Sequence, residues 1–220
     1  MFDKNINSEE INKLECRTFY GEIIVVDTPS ILCKTAKYLQ KQSHIGFDTE
    51  ARPQFVKGSR RRISLLQFAT AKKAFLVRID ILGLAKPIID IFENPAITKI
   101  GLGLTDDMQA LRRLKRFNPS GFVDLQDYST QFGITDNSLR KITAITLGFR
   151  ISKSQRLSNW ENSEYTIAQK RYAATDAWVC LEIYQKLISA TEAFKVYKQN
   201  HANSKNQLNH GSDVSASKKQ

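Results

Sequence analysis

With 220 residues, 41% of them hydrophobic, the chain is long enough to bury a sizeable core in one domain, and its formal net charge of +11 favours a polyanionic partner. No run approaches the ~18 apolar residues of a membrane span, and the N-terminal MFDKNINSEEINKLE has no apolar stretch of the kind a signal peptide needs. Cys16, Cys33 and Cys180 are scattered and form no CxxC, so neither a zinc knuckle nor a disulfide framework is expected, and the chain is read as cytoplasmic. Residues 191–220 hold five Lys and two acids and supply +3, which leaves +8 on residues 1–190. The charge therefore belongs to the body as well as to the tail.

Residues 1–20 read as an N-terminal extension. Residues 22–26, rich in β-branched side chains, predict an edge strand, and Pro29-Ser30 leads into a helix over about 30–42. HIGFDTE (44–50) predicts a short buried strand, followed by a charged loop over 52–62. RISLLQFAT (62–70) and KAFLVRI (73–79) form a predicted hairpin. A helix over 84–93 ends near Asn94-Pro95; ITKIGLG (97–103) is a strand and 105–117 a helix that Thr105 can cap. A short strand at 122–125 precedes helices at 125–132 and 138–147, with Gly148 suited to close the second. The last long helix runs from about 164 to 189 with Ser163 as N-cap, within a domain spanning 21–190. From about 198 the chain is polar, with little to bury, and is expected to be disordered. Strands with a hairpin first, then strand–helix units, predict an α/β fold with a mixed sheet flanked by helices, and a site at the carboxyl ends of its central strands.

Four acids stand where a core is expected. Asp48 and Glu50 lie two apart on a strand and so share a face, where like charges repel unless a cation sits between them. On a 3.6-residue period Asp107 aligns with Leu104, Leu111 and Leu114, whereas Asp106 falls on the wetter side and suits the positive end of the helix. Asp176 continues the stripe of Val179, Cys180, Ile183 and Leu187, and Tyr172 lies one turn before it. Carboxylates are hard oxygen donors, which suit Mg²⁺ or Mn²⁺, and carboxylate-held ion pairs suit phosphoryl chemistry. His201 and His210 are in the tail, and His44 reads as a packed or solvated residue.

Three segments, GFDTE (46–50), KIGLGLTDDMQAL (99–111) and SKSQRLSNWE with QKRYAATDA (152–161 and 169–177), resemble the DEDD superfamily of 3′–5′ exonucleases. The likeness is nearest to ribonuclease D and the Werner-type exonuclease domain, and covers roughly residues 20–190. Tyr172, preceded by Arg171, matches the tyrosine rather than the histidine subtype. The resemblance implies a ribonuclease-H-like fold, with Asp48, Glu50, Asp107 and Asp176 as ligands of two divalent cations and Tyr172 orienting the attacking water. It implies a substrate of DNA or RNA with a free 3′ end, and nucleoside 5′-monophosphate as product. The polar tail is too short for the helical C-terminal domain of ribonuclease D, so transfer RNA is not assumed as substrate.

Basic residues are expected to guide the phosphate backbone. Lys57, Arg60, Arg61 and Arg62 follow Glu50 in an acid-free stretch over 51–62, and Arg150, Lys153 and Arg156 precede the last helix. Arg156 and Trp160 lie inside a resembling segment and are the stronger candidates, with packing as the alternative role of Trp160. Two other readings are a non-catalytic nucleic-acid-binding domain of the same fold and a Mg²⁺-dependent hydrolase of small phosphate compounds.

Overall fold

The computed structural model describes residues 2–52 and 62–212, with side chains of the last helix described to Ala193. In chain order the elements are α1 (Ser8–Lys13), β1 (Glu22–Val26), α2 (Pro29–Leu39), β2 (His44–Ala51), β3 (Ile63–Ala69), β4 (Lys73–Arg78), α3 (Ile79–Leu82) and α4 (Lys86–Glu93). Then follow β5 (Thr98–Gly101), α5 (Leu104–Leu114), β6 (Phe122–Asp124), α6 (Leu125–Thr130), α7 (Leu139–Leu147) and α8 (Ile167–Ser212). Six strands form one sheet in the order β1-β4-β3-β2-β5-β6. The β2–β3 and β3–β4 pairs are antiparallel, and β1–β4, β2–β5 and β5–β6 are parallel, so the sheet is mixed and β1 is an edge, as its composition predicts.

Alternation along β2 divides the two faces. Ile45 and Phe47 join a core built with Phe68 and Phe75 of the hairpin, Leu32 and Leu39 of α2, Ile88 and Phe92 of α4, and Leu104 and Leu111 of α5. The register aligns Phe47 with Phe68 and Phe68 with Phe75, and the Phe47 and Phe68 rings meet tilted by 41° with centroids 5.4 Å apart. Gly46 faces the other way. A Cβ there would lie 1.8 Å from the carbonyl oxygen of Ala177, so only glycine lets the α8 backbone come this close to the strand. Small residues continue that contact: Ala69, Ala74, Ala174 and Ala177 pack together with Phe19.

Met1–Tyr184 forms one compact unit and Gln185–Gln220 a second. The N-terminal segment is part of the first unit. The Lys4 carbonyl accepts from Thr135 N–H at 2.9 Å, Ile6 N–H donates to Asp136 at 3.1 Å, and Arg150 donates to the Leu14 carbonyl at 3.1 Å. Helix α1 carries a capping box, Asn7 with Glu10, which the sequence reading passed over. In the second unit α8 runs on to Ser212. Polarity denies that segment a core. It does not prevent i→i−4 backbone bonding, which Ala202, Lys205, Gln207 and Leu208 favour. Among the described residues no helix is long and apolar enough to cross a membrane.

Two helix starts differ from expectation. Ser163 does not cap α8; Thr166 N–H donates to Gln169 at 3.0 Å and Gln169 N–H to Thr166 at 3.2 Å, a reciprocal pair one turn later. Thr105 does not cap α5. Gly103 holds the N-cap position with φ +67°, and the Asp124 carboxylate accepts from Gly103 N–H at 2.9 Å and Leu104 N–H at 2.7 Å. The same carboxylate accepts from Gln126 N–H at 2.9 Å and so starts α6 as well. Gly148 ends α7 in the left-handed region, as expected.

Candidate active site

The site is built at the carboxyl end of β2, where α8 crosses it. Asp48 faces α8, because it shares parity with Gly46. From α8, Tyr172 and Asp176 project one turn apart. Asp48, Tyr172 and Asp176 line a single cavity of about 190 Å³, together with Ser138, Arg140, Lys153, Arg156 and Cys180. Three of the five residues expected to act in catalysis thus line one cavity, and Lys153 and Arg156 line it as well.

The electrostatics of this group follow from burial. Asp176 is 6% exposed. Burial, and next the charge of Asp48, push its carboxyl well above the ordinary carboxylate range, while a hydrogen bond with Tyr172 and the charge of Lys153 pull the other way. Burial also raises the Tyr172 phenol, reinforced by Asp176, Glu50 and Asp48 in turn. A phenol so raised keeps its proton at neutral pH, so Tyr172 can donate and orient but is not a base. Glu50 therefore stands within electrostatic reach of Tyr172, although it is not on the described wall of the cavity. A register shift between β2 and β3 at Glu50/Ala51 bends the strand there, and Ser64, the extra residue on β3, donates to Glu161 at 3.1 Å. Burial likewise raises the Cys180 thiol, which stays protonated and serves as a small core residue.

Asp107 is 3% exposed on the first turn of α5 and Asp106 is exposed, which is the distinction that periodicity drew. Asp107 is absent from the described wall of the cavity. As the side chains stand, no three His, Cys, Asp or Glu among the described residues gather closely enough to hold a metal ion. The donor chemistry nonetheless fits a cation. Asp48 and Asp176 are all-oxygen donors in one cavity, and their mutual repulsion is relieved by positive charge placed between them.

Of the remaining expected contacts, Arg60, Arg61 and Lys57 lie outside the described residues. Arg62 is exposed and its Nε stands 4.0 Å from Glu161. Trp160 requires a correction: it is fully buried, its ring packs against Tyr165 and Tyr172, and it cannot present a face to nucleic acid. Its wall is held in turn by Arg78, which donates to the Ser163 carbonyl at 2.8 Å, pairs with Asp80 at 2.7 Å and lies over the Tyr165 ring. Trp160 supports Tyr172 from beneath.

Three residues escaped the sequence reading. Arg140 lines the cavity and donates to Asn12 at 2.6 Å, and nothing in SLRKIT sets it apart from a surface arginine. Asp124 anchors the start of the helix that carries Asp107; an acid just before a helix is an N-cap signal that was available. Gln67 is fully buried opposite Asp48 on β3, and neither of its amide atoms has a partner among the described residues. A lone amide within LLQFA is the same kind of anomaly that singled out the acids.

Comparison with known proteins agrees with the motifs. Residues 23–192 match the 3′–5′ exonuclease family model. The chain is 33% identical over 164 residues to the bifunctional 3′–5′ exonuclease/ATP-dependent helicase WRN of Mus musculus, covering 72% of this chain and 12% of that protein. It is 31% identical over 180 residues to the exonuclease mut-7 homolog of Homo sapiens, covering 68% and 20%. The chain thus spans well under half the length of these relatives. Among solved structures, the Nibbler EXO domain of Aedes aegypti superimposes with a TM-score of 0.70 at 23% identity over 81% of this chain and 94% of that one. Escherichia coli RNase D gives 0.69 at 23%, over 78% and 46%. These two likenesses speak for the ribonuclease-H-like fold. By its family match and its motifs together, the chain belongs to the DEDD 3′–5′ exonuclease family.

Proposed function

We propose that the chain is an active, metal-dependent 3′–5′ exonuclease that releases nucleoside 5′-monophosphates from the 3′ end of DNA or RNA. The observation that carries this reading is the convergence of Asp48, Asp176 and Tyr172 on one cavity, with Lys153, Arg156 and Arg140 at its walls. The reading assigns Asp48, Glu50, Asp107 and Asp176 as ligands of two Mg²⁺ or Mn²⁺ ions. Bound there, such ions supply the acidity that makes water a nucleophile near neutral pH and the charge that a departing 3′ oxygen requires.

The chain's own residues do the rest. Tyr172, protonated, donates a hydrogen bond that aims the attacking water at phosphorus. Lys153 and Arg156 neutralise the phosphate that enters the cavity and hold its oxygens by charge-assisted hydrogen bonds. Trp160 and Tyr165 keep the Tyr172 ring from turning aside. Support comes from the family match and from the match of these positions to the family motifs.

A second reading is a non-catalytic nucleic-acid-binding domain of the same fold, and one observation favours it: among the described residues no three ligating side chains gather as they stand. Incubation of the purified chain with 3′-labelled single strands, with Mg²⁺ or Mn²⁺ and with EDTA, separates the two. The exonuclease reading expects labelled mononucleotide with either ion and none with EDTA. Retained strand binding without product under every ion condition would sink it. Matched DNA and RNA strands in the same assay report the preferred sugar.

A further inference from the structure

A second hollow lies apart from the candidate active site. It has a volume of about 730 Å³ and lies at the far end of α5, lined by Arg112, Arg113, Arg116, Gln109, Asn118 and Glu93 over a floor of Phe117. All three arginines are exposed. Among the described residues none of them takes part in a salt bridge or a side-chain hydrogen bond. The one acid on the wall, Glu93, already accepts from Asn118 N–H at 2.8 Å. No acid occurs between Asp107 and Asp124.

A purely local role covers part of this. Arg112 and Arg113 occupy the last turn of α5, where cations offset the negative helix end. It does not cover Arg116, which lies beyond the C-cap residue Lys115. Nor does it account for an open concavity with two amide side chains beside three unengaged guanidinium forks. That set matches the oxygens of phosphodiesters, which guanidinium groups bind bidentately.

We propose that this hollow is a second nucleic-acid site, gripping the sugar-phosphate backbone of the strand a few nucleotides before the 3′ end that the acids receive. The proposal rests on the exonuclease reading for the direction of the strand. Helix α5 links the two places, with Asp107 on its first turn and the arginines at its end. Five or six residues at about 1.5 Å each put Arg112 and Arg113 roughly 8–9 Å along the axis from Asp107. A duplex strand advances about 3.4 Å per nucleotide, so that separation corresponds to two or three nucleotides.

The test uses the full chain carrying Asp176→Asn, in EDTA, so that no strand is degraded. Binding of a fluorescent 12-nucleotide single strand is followed by anisotropy from low to moderate salt. Arg112→Gln/Arg113→Gln/Arg116→Gln is compared with Lys34→Gln/Lys37→Gln/Lys41→Gln, which removes the same charge from exposed positions in and just after α2. The proposal expects the arginine variant to bind about tenfold or more weakly at low salt. It also expects the slope of log affinity against log salt to fall by about 2, at roughly 0.7 for each of three phosphate contacts on a single strand. The lysine variant should keep the parent slope. An unchanged slope in the arginine variant, or an equal loss in the lysine variant, overturns the site. If the triple variant melts early, Arg116→Gln alone, outside any helix, is read in the same way, with an expected change of about 0.7. Mononucleotide release by the native chain judges the exonuclease reading separately. Its failure alongside an intact salt effect would remove the direction of the strand and leave the phosphate site standing.

Discussion

On one side of the sheet, β2 presents Ile45 and Phe47 to α2, α4 and α5; on the other, Gly46 and Asp48 to α8. The first side is thick with rings, since Phe47, Phe68, Phe92 and Phe122 form a connected cluster whose neighbouring centroids lie 5.4–6.1 Å apart. Full burial of each such side chain contributes about 1.5–3 kcal/mol. The second side is thin, lined by Gly46, Ala69, Ala74, Ala174 and Ala177, and it lets a helix backbone lie almost on the strand. Thick packing supplies stability and admits a polar group only where its hydrogen bonds are met, as at Lys99. Thin packing supplies little, but it brings Asp48, Tyr172 and Asp176 together. The difference teaches that one strand can serve both ends by alternation alone.

Substitutions on the two sides should therefore separate activity from stability. The largest expected effect is Asp176→Asn, or Asp48→Asn, which should lower kcat by about 10⁴-fold, some 5.4 kcal/mol of barrier, while the melting temperature in EDTA holds or rises. Steady-state release of mononucleotides and a thermal melt check it. A variant that cleaves at the native rate would remove the catalytic role of this side. Next, Phe92→Ala on the thick side should cost about 3–5 kcal/mol of stability by urea unfolding, with near-native kcat in the fraction that stays folded. A selective loss of kcat there would break the separation. Third, Tyr172→Phe should reduce kcat by about 10²-fold with little change in KM, because it removes one oriented hydrogen bond and keeps the ring on Trp160.

The smallest effect concerns the thick side's exception, Lys99. This fully buried ammonium donates to the Asn94 and Ile97 carbonyls at 2.8 and 2.7 Å, and burial lowers its pKa to about 8. Between about 8 and the ordinary lysine value of 10.5 the unfolded chain holds a proton that the folded chain has released. Stability should therefore rise as pH increases through that window, and Lys99→Met should flatten the slope. Urea midpoints at pH 7.5 and 9.5 measure it, and identical slopes in the two proteins would clear Lys99 of the effect.

Much of this division was legible in the residues. Alternation in HIGFDTE assigned Phe47 and Asp48 to opposite sides, and a 3.6-residue period told Asp107 from Asp106, because both signals are local and repeat. Longer-range partners were not legible. Thr105 and Ser163 looked like caps from their neighbours alone, whereas Asp124 reaches the start of α5 from twenty residues away. Trp160 looked like a nucleic-acid contact because it sits in a family-like segment. Arg78, 85 residues before Ser163, donates to its carbonyl and lies over the Tyr165 ring, which packs on the buried tryptophan. Arg140 could be found only once α7 had been placed beside α8.

The contact at Gly46 has one more consequence. Because main chain comes close to main chain there, atomic radii set how near the β2 and α8 backbones that carry Asp48 and Asp176 approach. Gly46→Ala acts as a shim of one methyl group. A chain so altered would be expected to hold its β2 and α8 backbones further apart and to lose stability, because the added Cβ meets the Ala177 carbonyl oxygen.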